Sequence, residues 1–256
     1  MSGIGRNATL VYGTVCYAIF FVTFLYFIGW VTNLVVPASI DSGVAGNPFA
    51  ALAIDLALIA LFGVQHSVMA RPAFKKVLTR VVPQPLERAT YVLASSAACV
   101  LLVAAWRPIP VALWHAEGVI AGALQIGALL GFGIVLYSTC LIDHFDLFGL
   151  RQVFLAWRGR SYSEKRFVTP QLYRFIRHPL YMGWMIAFWC TPALTVGHAL
   201  LASAMTAYIG IAIRYEERDL AAGLGEPYRR WRAATPMFVP RLRARSRPAA
   251  PAAEPS

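Results

Sequence analysis

Four short stretches of this chain carry side chains able to move protons or bind ions. They are Gln65-His66-Ser67 with Arg71, Asp143-His144-Phe145-Asp146 with Arg151, Arg177-His178-Pro179-Leu180-Tyr181-Met182-Gly183, and Arg214-Tyr215-Glu216-Glu217. Histidine titrates near neutral pH and suits general acid–base work. In the second stretch, two carboxylates beside one imidazole would orient the ring and raise its pKa. The third stretch implies different chemistry. Pro179 can open a helix without losing a needed N–H, so the amides of the first turn would face the carboxylate of a ligand. Gly183 lets a ligand or a neighbouring backbone come close. Glu216 and Glu217 offer negative charge to an ammonium or a sulfonium. A ligand with an amino group, a carboxylate and a positive sulfur fits this set, and S-adenosylmethionine is such a ligand. No metal site is read: Cys16, Cys99, Cys140 and Cys190 have no C-x-x-C spacing and each sits in an apolar run, as buried structural thiols do.

The elements that must hold these residues are apolar. Of 256 residues, 58% are apolar and 14% charged, against roughly 25% charged in a soluble domain, which excludes a water-soluble fold. A bilayer core needs about 20 apolar residues per helix. Residues 10–36, 49–69 (interrupted by Asp55), 89–106 and 118–142 meet that length. The region 179–213 is too long for one span and is broken by Pro192, Gly197 and His198, which predicts a hairpin of helices 179–195 and 199–214. The expectation is an all-α integral membrane protein with about six transmembrane segments, four full spans and a C-terminal helical hairpin. The first run is too long for the h-region of a signal peptide.

The 23 Lys and Arg against 12 Asp and Glu leave a net charge of +11. These bases collect in 70–88, in 143–178 and after 213, whereas 37–48 and 107–117 hold almost none. That asymmetry places both termini in the cytoplasm. It also accounts for the basicity without nucleic acid as a partner. All four reactive stretches then fall at one leaflet. Asp55 lies eleven residues before His66, about 16 Å along a helix, and is read as a packing or core hydrogen-bonding carboxylate. Residues 1–242 read as a single transmembrane domain and 243–256 as a disordered Pro/Ala-rich tail.

The segment 167–240 resembles the cofactor-binding region of the integral-membrane methyltransferases typified by isoprenylcysteine carboxyl methyltransferase and the phospholipid N-methyltransferases. The shared residues are Val168-Thr169, Tyr173, Arg177-His178-Pro179-x-Tyr181-x-Gly183, Arg214, Glu216-Glu217, Leu220, Gly225-Glu226, Tyr228 and Val239-Pro240. The resemblance implies that Val168, Tyr173, His178, Pro179, Leu180, Tyr181 and Glu217 hold S-adenosylmethionine and that Arg214 faces the acceptor. Trp231 departs from the pattern, which often has a second tyrosine there. Upstream, Gln65-His66-Ser67-x-x-Ala70-Arg71 resembles membrane proteins associated with nitric oxide and nitrite reduction. Together with 141–150, it makes nearly the whole chain similar to the bacterial methanethiol S-methyltransferase family. That implies a cytoplasmic-membrane enzyme making dimethyl sulfide from methanethiol, with its site facing the cytoplasm.

The chemistry expected is in-line methyl transfer from a sulfonium to a small apolar thiol. A thiol is mostly protonated at neutral pH and only its thiolate attacks well. His144, held by Asp143 or Asp146, or else His66, would take the proton, and Arg214 or Arg151 would steady the thiolate. Anion and cation become two neutral thioethers, so a dry pocket favours the reaction. Other readings remain open: a lipid or isoprenylcysteine acceptor, a haem-linked or nitrogen-oxide accessory protein using His66 and His144 as ligands, or a transporter.

Overall fold

The computed structural model of the protein describes residues 3–163 and 169–240. Val168 and the tail 243–256 lie outside the described residues. Among those described, the order is α1 (Gly3–Thr32), α2 (Pro48–Ala70), α3 (Pro72–Leu78), α4 (Glu87–Ala105), β1 (Ala112–His115), α5 (Gly118–Ile142), α6 (His144–Leu147), α7 (Leu150–Trp157), α8 (Pro179–Trp189), β2 (Ala193–Thr195), α9 (Val196–Leu224) and α10 (Glu226–Ala234). Among the described residues, five helices, at Gly5–Thr32, Pro48–Ala70, Gln84–Ala105, Gly118–Ile142 and Val196–Leu224, are long and apolar enough to cross a membrane. Apolar side chains such as Val11, Val22, Leu130 and Ile211 face outward, as lipid requires.

Local signals set the boundaries. The Asn47 carboxamide accepts from the amides of Phe49 and Ala50 at the start of α2, with Pro48 in the first turn. The Thr195 hydroxyl accepts from the His198 amide at 3.1 Å and caps α9.

The hairpin differs from its expected halves. Its first leg stops at Trp189 instead of 195, because Cys190 leaves the helix and Ala193–Thr195 pairs antiparallel with β1. At 11 residues, α8 is about 16 Å long, half a bilayer core. The second leg runs on to Leu224, ten residues past the expected 214, until Gly225 adopts φ 67°. No breaker interrupts Arg214–Asp219, so the reactive pair Glu216-Glu217 is helical.

The β1–β2 pair joins the α4–α5 connection to the turn of the hairpin. The same end is tied by Thr195 to Asp41 at 2.5 Å, Asn33 to Asp41 at 2.8 Å and Trp106 Nε1 to the Ile40 carbonyl at 3.1 Å. Asp55, fully buried, accepts from the Arg107 amide at 2.9 Å. It therefore holds the exit of α4, the hydrogen-bonding role expected of it.

The core is aromatic, with Phe27, Trp30, Trp106 and Phe188 at its centre. Beside it α5 and α8 meet backbone to backbone. A Cβ on Gly183 would lie 2.8 Å from the Gly131 carbonyl oxygen and 2.9 Å from the Val135 nitrogen, and one on Gly131 would lie 2.5 Å from the Ala187 nitrogen. Of the two uses foreseen for Gly183, this is the close approach of a neighbouring backbone.

Candidate functional site

A cavity of about 480 Å³ opens among α1, α2, α4, α5, α8 and α9, within the roughly 300–1,000 Å³ of small-molecule sites. Its walls bring together His66, His144, Tyr173, His178, Leu180, Tyr181 and Glu216, set among Phe20, Phe24, Phe62 and Trp184. The stretches far apart in sequence thus share one chamber.

His144 follows α5 directly. Thr139 donates its hydroxyl proton to the Leu136 carbonyl at 2.6 Å, and its oxygen lies 2.8 Å from His144 Nδ1. A hydroxyl has one proton, so toward the ring Thr139 accepts, which puts hydrogen on Nδ1 and the lone pair on Nε2. Tyr17 donates to that lone pair at 2.8 Å. The ring is therefore held by two hydroxyls and not, as expected, by Asp143 or Asp146. Asp143 sits at φ 140°, a strained conformation for a residue with a Cβ, and its carboxylate accepts from the Asp146 amide at 3.1 Å, capping α6. Asp146 accepts from Arg151 at 3.1 Å and from Tyr162 at 3.2 Å. The expected rise in the His144 pKa is reversed: burial lowers it, against the opposing pull of the Asp143 charge.

His66 on α2 meets Tyr91 through Nε2 at 2.9 Å and Ser95 through Nδ1 at 3.2 Å, with Phe62 stacked on its ring. Tyr91 and Ser95 are four residues apart, which puts them on one face of α4.

The opposite wall begins at α8. Pro179 takes its first turn, and first-turn N–H groups lack intrahelical partners. Beside it, Glu217 is buried at 4% exposure. Its Oε1 accepts from Arg177 Nε at 2.7 Å and from His178 Nε2 at 3.0 Å, and its Oε2 accepts from Arg232 Nε at 3.0 Å. The Arg177 and His178 amides are further tied to the Pro236 and Met237 carbonyls at 2.9 and 3.2 Å. Glu217 thus fixes His178 at the chamber wall, while Glu216 is the carboxylate that lines the chamber itself. Burial raises the Tyr173 pKa, and the buried Tyr228 is pushed up to about 12 by burial and by the Glu217 charge. Arg214 stands apart with Glu217 along a second pocket.

Tyr17, Tyr91, Ser95, Thr139 and Tyr208 escape a reading that looks for charge. Their signal is a hydroxyl inside an otherwise apolar run.

The isoprenylcysteine carboxyl methyltransferase (ICMT) family model matches residues 135–222, from mid α5 to the end of α9. The chain is 51% identical over 242 residues to methanethiol S-methyltransferase 2 of Bradyrhizobium diazoefficiens, covering 94% of this chain and 93% of that one. The chain belongs to the methanethiol S-methyltransferase family. It is likewise 47% identical over 237 residues to the Mycobacterium tuberculosis enzyme of that name, covering 92% and 97% of the two chains. With the Crocosphaera subtropica one it shares 45% over 240 residues, covering 93% and 94%. No solved structure matches it. The protein is an integral membrane enzyme that transfers a methyl group, and the part of the chamber lining that runs from Val135 to Glu216 falls within the family match.

Proposed function

We propose that the chamber methylates methanethiol to dimethyl sulfide with S-adenosylmethionine as donor. The observation that carries this reading is the meeting of His144 and His66 with Tyr173, His178, Leu180, Tyr181 and Glu216 in one apolar-lined cavity. The donor, when bound, supplies a methyl group on a sulfonium. The residues present suit it: Glu216 for its ammonium, the first-turn amides of α8 for its carboxylate, and the faces of Tyr181, Trp184 and Tyr208 for a cationic sulfur. Glu217 acts one step back, by holding His178. Pro179 and Gly183 seat α8, and Val168 belongs to the same proposed binding set.

On the acceptor side, His144 takes the thiol proton at Nε2 after the Tyr17 hydroxyl turns aside. The thiolate so formed would be placed opposite the start of α8, where a bound donor would give up its methyl group as the sulfonium–carbon bond breaks. Opposite charges vanish together, so the aromatic lining favours the transition state by excluding water. Asp143 and Asp146 shape the α6 turn beneath the ring, Arg151 anchors Asp146, and His66 with Tyr91 is the second proton-handling pair. Arg214, outside the chamber lining, is given no role in the transfer step. The basic segments 70–88, 143–178 and the stretch after 213 support a cytoplasmic face for the chamber and both termini, with the chain in the bacterial inner membrane. The hydroxyls bound to both histidines favour proton transfer over metal ligation.

The purified protein, given methyl-labelled S-adenosylmethionine and methanethiol, should release labelled dimethyl sulfide into the headspace. Label in extracted lipid instead would transfer the assignment to a lipid acceptor. No label in either would overturn methyl transfer from this donor.

A further inference from the structure

A second concavity, of about 610 Å³, lies between the end of α9 and α10 and is lined by Arg214, Arg218, Arg229 and Arg232 with Glu217 as its one carboxylate. The charge of Glu217 is already met by Arg177, His178 and Arg232. Arg218 has Asp219 at 3.6 Å, with side chains 68% and 52% exposed, a contact that water screens. Among the described residues Arg214 and Arg229 make no ion pair. Guanidiniums converging on one hollow repel each other unless an anion sits between them, and their fork geometry matches phosphate oxygens.

Apolar side chains, Ile213 and Met237 among them, share the lining of this hollow with the arginines. It lies at the end of a helix long and apolar enough to span the membrane. Nearby in the chain Tyr215 is exposed, and so is Val239, just past Met237. A hydrophilic anion gains nothing from these apolar side chains, whereas the glycerol and first acyl carbons of a lipid do. We infer that this pocket binds the phosphate of an anionic phospholipid headgroup at the membrane surface. This site is separate from the methyl-transfer chamber and does not depend on which acceptor is methylated.

The test is calorimetric titration of the full chain in neutral detergent with dioctanoyl phosphatidylglycerol, dioctanoyl phosphatidylcholine and inorganic phosphate. Saturable one-site binding of the phosphatidylglycerol is expected, at least tenfold tighter than the other two. The double variant Arg218→Ala/Arg229→Ala should weaken it about 25-fold, at roughly fivefold per arginine. The control Arg80→Ala/Arg160→Ala, on exposed arginines elsewhere, should leave it unchanged. Equal losses in both double variants would mean diffuse surface charge and would overturn the site. Inorganic phosphate binding as tightly as the lipid would overturn the lipid assignment, and so would absence of saturable lipid binding to the folded wild type.

Discussion

The phenol of Tyr17 on α1 lies 2.8 Å from Nε2 of His144, across 127 residues of chain. This contact pins the ring from the side opposite Thr139. It also suits both protonation states. A hydroxyl donates to the neutral ring and, after a rotation about its C–O bond, accepts from the charged one. The contact can thus re-form, with its direction reversed, once the ring is charged.

Replacing Tyr17 with Phe should therefore lower kcat about tenfold, the loss of roughly one hydrogen bond to a charged group. Affinity for the methyl donor should stay within twofold, because Tyr17 meets His144, Phe145 and Phe148 and not the His178–Tyr181 turn. Steady-state kinetics and calorimetry on the same preparation separate the two. A variant with wild-type kcat would remove His144 Nε2 from the proton path.

The pH response has a defined sign. Burial holds the His144 pKa below its ordinary 6.5, so the folded chain binds fewer protons than the unfolded one between the two values. Its contribution to stability is present in full above about 6.5 and is lost as pH falls toward the folded value. The unfolding temperature should thus decline on acidification, with a shallower decline in His144→Asn. The acid limb of kcat should lie below 6.5; a limb centred above it would exclude His144 as the base.

Glu217→Gln tests the anchor of His178. The substitution removes the charge shared by Arg177, His178 and Arg232, and breaking a buried pair costs about 3–5 kcal/mol. Thermal stability should fall, and donor affinity should drop at least tenfold because His178 is released. Unchanged donor affinity in a folded variant would show that His178 needs no such tether.

Sequence alone was most informative where chemistry and hydrophobicity act locally. Charge-free runs announce helices because backbone polar groups in lipid must bond within their own segment, and the breaker residues Pro192 and Gly197 announce the hairpin. Its unequal legs were not legible. The first is cut short by pairing between Ala193–Thr195 and Ala112–His115, a contact between distant segments with no local signature. Likewise, carboxylates next to His144 in sequence suggested its partners, but the helical turn at 143 directs Asp143 to a backbone amide. The real partners come from residue 17 and from the preceding turn of α5.

Gly183→Ala should cost about 1–3 kcal/mol as an overpacked contact, since the new carbon would meet the Gly131 oxygen at 2.8 Å. Gly210→Ala is the control, with nothing within 4 Å of the added carbon. Thermal unfolding in detergent should separate them clearly. Equal stability of the two variants would mean that α5 and α8 can part at little expense.

That same contact has a consequence for the membrane around it. His144 continues from α5, and the His178–Tyr181 turn opens α8, so the two sides of the chamber ride on helices bolted together by their main chains. Lipids of different length can tilt the long outer helices to relieve hydrophobic mismatch, but they have no side-chain layer to compress between these two. The gap between His144 and the His178–Tyr181 turn is thereby insulated from bilayer thickness. The catalytic rate should follow the chemistry of the chamber when the surrounding membrane thins or thickens.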